Sequence, residues 1–190
     1  MELLCRRGVP AVWRRSIAEL LGLIGDLERR IAPLEAELAP LAREDPRAQL
    51  LATIPGVGVL LSLTIAAEIG EVSRFRSAGK LVGYAGLAPR VSQSGERSST
   101  GALSKAGPRT LRWAAVEAAN QAWRPSNPWH PHYLSVAERH GKNPAKSSVA
   151  RKLLIAAWHM LARQEPFKPS RPRGGDQTTA SASSRCFLAA

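Results

Sequence analysis

Ser94 sits on a Gln-Ser-Gly step within residues 86–112, GLAPRVSQSGERSSTGALSKAGPRTLR, the stretch whose residue types are best suited to chemistry. Hydroxyl attack on a phosphodiester needs a deliverable nucleophile, with cations placed where charge builds on the phosphoryl oxygens. Gly95, lacking a Cβ, lets a substrate come close to the Ser94 hydroxyl. Arg90, Arg97, Lys105, Arg109 and Arg112 supply positive charge, and Ser104 a second hydroxyl. Between residues 74 and 112 eight Lys/Arg stand against one acid, Glu96, in a chain whose net charge is +12. Such a field draws a polyanionic backbone. Glu96 is the one nearby group of the type that serves as a base. A loop that holds phosphates without attacking them therefore stays open as the alternative.

Other chemistries fit poorly. His130 and His132 flank Pro131, which is not a helical metal-ligand spacing. Phosphate-cradling loops with a following Lys-Ser/Thr are absent, so nucleotide hydrolysis is unsupported. Aspartate occurs only at Asp26, Asp45 and Asp176, too scattered for a two-metal nuclease centre, and no metal site is expected in this chain. Cys5 and Cys186 lie near opposite ends and suggest neither a disulfide framework nor a thiolate metal site. With no apolar stretch of signal-peptide length after Met1, a reducing cytoplasm is expected. The longest apolar run, Leu50 to Ala67, is broken by Pro55, Gly56 and Gly58 and turns polar at Ser62 and Thr64, so no membrane span is expected. The basic balance makes nucleic acid the leading partner class, ahead of an acidic membrane or protein.

Several elements must position this loop. From Ile17 to Leu41, Ile or Leu recurs at 17, 20, 24, 27, 31, 34, 38 and 41, alternating steps of three and four. This is a heptad seam, and it predicts a helical arm that pairs with another helix. An ordinary amphipathic helix lying on its own domain is the alternative. Pro33 and Pro40 are expected to bend or interrupt the arm. Asp45-Pro46 reads as a break and a new helix start. Two short apolar helices then flank Pro55-Gly56-Val57-Gly58, a pattern similar to the helix–hairpin–helix motif. In that motif the glycines admit a phosphate and the second helix offers its free amides. The bland counterpart is a tight αα-hairpin. A helix is expected over 77–85, with Ser77 as its cap. Residues 86–107 are expected to be irregular, Leu87–Val91 being the one short strand candidate. Pro108 then opens another helix, which stops before Pro125. Helices at about 132–140 and 147–164 follow. The expected core comprises Leu60, Leu61, Leu63, Ile65, Ile69, Phe75, Leu81, Leu111, Val116, Leu153, Leu154, Ile155 and Trp158. From Pro166 the tail is expected to be disordered. The predicted architecture is all-α: a coiled-coil arm at 1–45, a helical body at 46–165 carrying the Ser/Gly/Arg loop, and a tail at 166–190.

An ordered set of motifs runs along the body: Ile54-Pro55-Gly56-Val57-Gly58, Ala67-Glu68-Ile69-Gly70, Arg74-Phe75, Tyr84-Ala85-Gly86-Leu87-Ala88-Pro89, Ser94-Gly95, Gly101, Ser104-Lys105-Ala106-Gly107 and Leu111-Arg112. Together they resemble the C-terminal domain of insertion-sequence transposases of the "one-ten" family. The resemblance spans about residues 50–120, and the arm and later helices are also similar. It implies a DNA recombinase whose serine nucleophile corresponds to Ser94. It further implies an N-terminal RNase-H-like domain holding a divalent metal (magnesium) on four acidic ligands, oligomers formed through residues 17–41, and DNA plus a structured guide RNA as partners. No counterpart of the acidic domain precedes the arm, and the residues after Phe167 resemble nothing in the family. The expectation is therefore a truncated transposase that binds nucleic acid and self-associates without completing strand exchange alone.

Overall fold

The arm is a single α-helix, α1 (Ala11–Glu44), in the computed structural model of the protein, which describes residues 10–94 and 97–169, with the backbone alone for 91–94 and 97–100. The helix continues unbroken through Pro33 and Pro40, so neither proline interrupts it. Each proline deletes one backbone hydrogen bond, and on an exposed helix water can satisfy the carbonyl left open. No residue of α1 is buried, and Leu20, Ile24, Leu27, Ile31, Leu34 and Leu41 all face solvent. Only near its end does the arm meet the body, where Ala42 packs on the core.

Asp45 ends the arm and starts the body. Its backbone is extended (φ −90°, ψ 108°), and its carboxylate accepts from the Arg47 amide at 2.8 Å, capping α2 (Pro46–Ala52) with Pro46 in the first turn. A turn then leads into α3 (Val59–Ile69). A 3₁₀ turn (Val72–Arg74) and α4 (Ala78–Tyr84) follow. Ser77 stands at the N-cap of α4 but makes no side-chain capping bond. After a β-hairpin come α5 (Arg109–Ala119), a 3₁₀ turn (Asn120–Trp123), α6 (His130–His140) and α7 (Lys142–Arg163).

The molecule is mostly helical, and α7 is the post around which the body is built. It buries Val149, Ala150, Leu153, Leu154, Ala157 and Leu161, and it touches α2, α4, α5 and α6. Each fully buried aliphatic side chain contributes roughly 1.5–3 kcal/mol relative to exposure. Helix α5 offers Ala114, Ala115, Ala118 and Ala119, whose small size lets α3 and α7 approach closely. Of the expected core, Ile65, Ile69, Phe75, Leu81, Leu111, Leu153 and Leu154 are buried, while Leu61, Leu63, Val116 and Trp158 are half-buried. Leu60 and Ile155 are instead exposed, at 45% and 40%. Leu60 lies in the first turn of α3, and Ile155 on the face of α7 turned away from the other helices.

Two expectations need correction. Residues 89–94 and 97–103 are not irregular: β1 (Pro89–Ser94) pairs antiparallel with β2 (Arg97–Leu103), Ser94 standing opposite Arg97. The register slips between Pro89 and Val91, next to a residue that has no N–H to give to a ladder. The start of the tail is also tied down. The Phe167 amide donates to Thr53 Oγ1 at 2.9 Å, and the Phe167 ring lies 5.2 Å from that of Trp129. Residues 170–190, which make up the rest of the tail, lie outside the described residues.

Candidate nucleic-acid interface

The hairpin is rooted by the chain on either side of it. The Leu87 amide donates to the Val82 carbonyl at 3.1 Å, the Ser104 amide to Ala88 at 2.9 Å and the Lys105 amide to Gly86 at 3.0 Å. Lys105 (φ 52°) and Gly107 (φ 95°) then turn the chain from β2 into α5. A Cβ at position 107 would lie 1.8 Å from the Tyr84 carbonyl oxygen, so only glycine lets α4 and this turn come together. The strands thus project from a fixed seat made by the end of α4 and the start of α5.

The sequence-selected residues fall into three groups. Ser94 closes β1 and Arg97 opens β2, so the backbone brings them face to face at the end of the ladder; Gly95 lies outside the described residues. Arg90, Lys105 and Arg109 are exposed around the hairpin's seat, with the half-buried Ser104 among them, and Arg90 Nη2 donates to the Ser104 carbonyl at 3.3 Å. Arg112 is turned inward: it is half-buried and its Nη1 donates to the Ala85 carbonyl at 3.1 Å, pinning α5 to the end of α4.

The turn at 55–58 is a separate place. Pro55 is half-buried, Gly56 and Gly58 are exposed, and Val57 is 6% exposed, its side chain spent on the core. Gly56 (φ 93°) approaches the far end of α5 so closely that a Cβ there would sit 2.6 Å from the Ala118 carbonyl. Nine residues of helix separate Arg109 from Ala118, so hairpin seat and turn are about 14 Å apart along α5. Beside the turn lies a cavity of about 300 Å³ lined by Pro55, Gly56, Gln121, Arg124, Ser126 and Asn127.

The ion pairs among the described residues, Arg15–Glu19, Asp26–Arg29, Asp45–Arg47 and Glu165–Lys168, all lie outside 74–112. Arg74 stacks its guanidinium 4.6 Å from the Phe75 ring and 4.7 Å from that of Tyr84. Trp113 escaped the sequence reading. It is 48% exposed on α5, one turn beyond Arg109. An aromatic residue four positions after an arginine, in a helix otherwise rich in alanine, is the signal that could have found it.

A second cavity, about 350 Å³, lies between Leu103 of β2 and the start of α7, lined also by Asn143, Pro144, Ser147, Ser148 and Arg151. At its side His132 Nε2 and Ser148 Oγ are 2.8 Å apart. Burial, with the charges of Lys152 and Arg139, pushes the His132 pKa below its ordinary 6.5. Among the described residues no three His, Cys, Asp or Glu side chains gather as a metal-holding group. The described donors therefore do not fit the divalent metal that the resemblance implies, and no step here runs through one. None of the described helices is long and apolar enough to cross a membrane.

A mostly helical body carrying a basic, hydroxyl-rich hairpin has the makeup of a domain that meets nucleic acid. Comparison with known proteins narrows that class. Residues 48–135 match the family model described as Transposase IS116/IS110/IS902 family. The chain is similar to an insertion element IS116 uncharacterized 44.8 kDa protein of Streptomyces clavuligerus, 31% identical over 147 residues, covering 77% of this chain and 37% of that protein. It is 30% identical over 145 residues to the transposase for insertion sequence element IS1111A of Coxiella burnetii, covering 74% and 40%. With the pilin gene-inverting protein of Moraxella bovis it shares 36% identity over 127 residues, covering 64% and 38%. The chain thus spans less than half the length of these relatives.

Proposed function

We propose that this chain is the nucleic-acid-binding, serine-bearing part of an insertion-sequence transposase of the IS116/IS110/IS902 family, acting in DNA transposition and site-specific recombination. The observation that carries the reading is the hairpin. Its two strands set Ser94 against Arg97 at one end of a ladder whose other end is ringed by Arg90, Lys105 and Arg109, all inside the family match. In this role Ser94 Oγ attacks a backbone phosphorus. A P–O(Ser) bond forms while one ester oxygen of the DNA leaves with its electron pair, and the hydroxyl proton passes to a base. The arginines offset charge on the phosphoryl oxygens. The turn at 55–58 is a second phosphate contact of helix–hairpin–helix type, made by the backbone at Gly56 and Gly58, not by the Val57 side chain. Arm residues 17–41 join copies of the chain. DNA is the substrate, and a structured guide RNA is a partner on the strength of the resemblance.

The test uses labelled duplex DNA bearing insertion-sequence ends, with wild-type protein and the Ser94→Ala variant. Binding should weaken steeply as salt rises, because each phosphate contact releases counterions. A protein–DNA adduct that survives denaturation should form with wild type and vanish in Ser94→Ala at unchanged affinity. Binding with no adduct from either form would reduce the role to a binding module. Salt-independent binding, or none, would refute the reading.

A further inference from the structure

Four of the five tryptophans belong to the helical body, and three of those four are engaged. Trp129 holds its ring 5.2 Å from that of Phe167, Trp158 donates its indole N–H to the Phe75 carbonyl at 3.0 Å, and the Arg124 guanidinium lies 5.7 Å from the Trp123 ring. Trp113 is different. It is 48% exposed, and among the described residues neither its ring nor its indole N–H has a partner. A single exposed hydrophobic side chain is ordinary on a protein surface. What sets this one apart is where it stands.

Helix α5 exposes Arg109, Thr110, Trp113 and Glu117 along one face, while Leu111, Ala114, Ala115 and Ala118 are buried on the other. Long side chains in a helix lean toward the turn before their own, which directs the indole toward Arg109 and the hairpin seat. On that side Arg90, Lys105 and Arg109 are all exposed. One turn the other way stands Glu117, whose carboxylate accepts from the Asn120 side-chain amide at 3.0 Å. Charge along this face therefore runs from positive, through an aromatic ring, to negative. A polyanionic strand crossing it is drawn to the Arg109 side and turned away from Glu117. Cations alone serve a phosphate. A flat ring beside them adds nothing to that contact, but it gives a base a surface to stack on. Within a duplex both faces of a base are already covered by its neighbours, so the ring's partner is an unpaired base.

Granted that the basic hairpin holds DNA as proposed above, we infer that Trp113 stacks on an unpaired base of that DNA, with Arg109 on the adjacent phosphate. The face of α5 next to the hairpin thus selects a single-stranded stretch over an intact duplex.

Fluorescence anisotropy tests this on the full chain, with labelled DNA of about 16 nucleotides offered as a single strand and as the corresponding duplex. Trp113→Ala should raise the single-strand Kd about tenfold and the duplex Kd by less than about twofold, whereas Trp113→Phe should stay within about threefold of wild type on both. Alanine is the better helix former and the side chain it replaces is half exposed, so the variant should fold, which far-ultraviolet circular dichroism checks. Stacking releases no counterions. The slope of log Kd against log salt should therefore be unchanged in Trp113→Ala, while Arg109→Ala should lower it by about 0.7 on the single strand. The unlabelled single strand should quench the tryptophan emission of the wild type, and Trp113→Ala should lose most of that quenching. Equal weakening on single strand and duplex, or no change on either, would overturn the inference. A loss confined to an RNA strand of the same sequence would overturn the assignment to DNA. Wild-type protein that binds neither form, or binds both without salt dependence, would instead refute the nucleic-acid reading on which the inference rests.

Discussion

Gly107→Ala should be the most damaging single-methyl change near the hairpin. Position 107 has φ 95°, where an L side chain is strained by about 1–2 kcal/mol before any contact is counted. The added Cβ would also sit 1.8 Å from the Tyr84 carbonyl oxygen and 3.0 Å from its carbon. Both partners are backbone, one ending α4 and the other leading into α5, so no flexible side chain can swing aside. Separating them by more than an ångström would also disturb the Arg112 anchor on Ala85, at 3.1 Å, and the Lys105–Gly86 bond, at 3.0 Å. Strain and displacement together should cost about 3 kcal/mol or more, a fall in Tm of roughly 6–12 °C for a chain this long. Gly83→Ala is the matched control. Nothing lies within 4 Å of a Cβ there, and the residue is inside α4, so alanine should stabilise by about 0.5–1 kcal/mol. Urea unfolding followed by far-ultraviolet circular dichroism reads both variants. A Gly107→Ala protein within about 0.5 kcal/mol of wild type would refute the close seat between α4 and α5.

Three further outcomes are expected. Asp45→Ala should cost about 1–2 kcal/mol in urea unfolding through loss of the α2 cap; the Arg47 hydrogen bond holds the Asp45 pKa below 3.8, so this contribution is full above about pH 4 and is lost as pH falls through the lower folded value. Burial pushes the pKa of His132 down, so the unfolded chain binds a proton that the folded one resists; stability should be intact above pH 6.5 and decline below it, and an NMR titration of His132 should give a midpoint under 6.5. Phe167→Ala should remove the ring contact with Trp129, costing about 1 kcal/mol and altering tryptophan emission, whereas an unchanged spectrum and midpoint would mean that the segment after α7 is not held there.

What could be read from the sequence was whatever repeats or punctuates. The arm was legible because its seam holds Ile or Leu at eight successive a and d positions without a miss, and Asp45-Pro46 because a capping carboxylate before proline is a local device needing no tertiary information. The hairpin was not legible by periodicity. PRVSQSGERSSTGAL holds few apolar residues to alternate, and the strands are held by backbone pairing that any hydroxyl-rich sequence can supply. The usable signal was Gly95-Glu96, a Gly-X dipeptide between two short runs, which is the pattern of a two-residue hairpin connection. Leu60 and Ile155 are apolar, but hydropathy cannot say which side of a helix its neighbours will cover. Arg112 is indistinguishable from the other cations in the sequence, which carries no hint that the Ala85 carbonyl claims its guanidinium. Val57 was selected as part of a turn motif in which only the backbone is presented.

The junction at Asp45 has a mechanical consequence. A helix of 34 residues, about 50 Å long, is joined to the body through one non-helical residue, with Arg47 bridging that residue's carboxylate and the Gly70 carbonyl. Tilting the joint by about 10° swings the far tip by roughly 9 Å. The bearing of the whole lever thus rests on a carboxylate–guanidinium clasp together with the packing of Ala42 on the core, and loosening either would misaim whatever is fastened along the shaft.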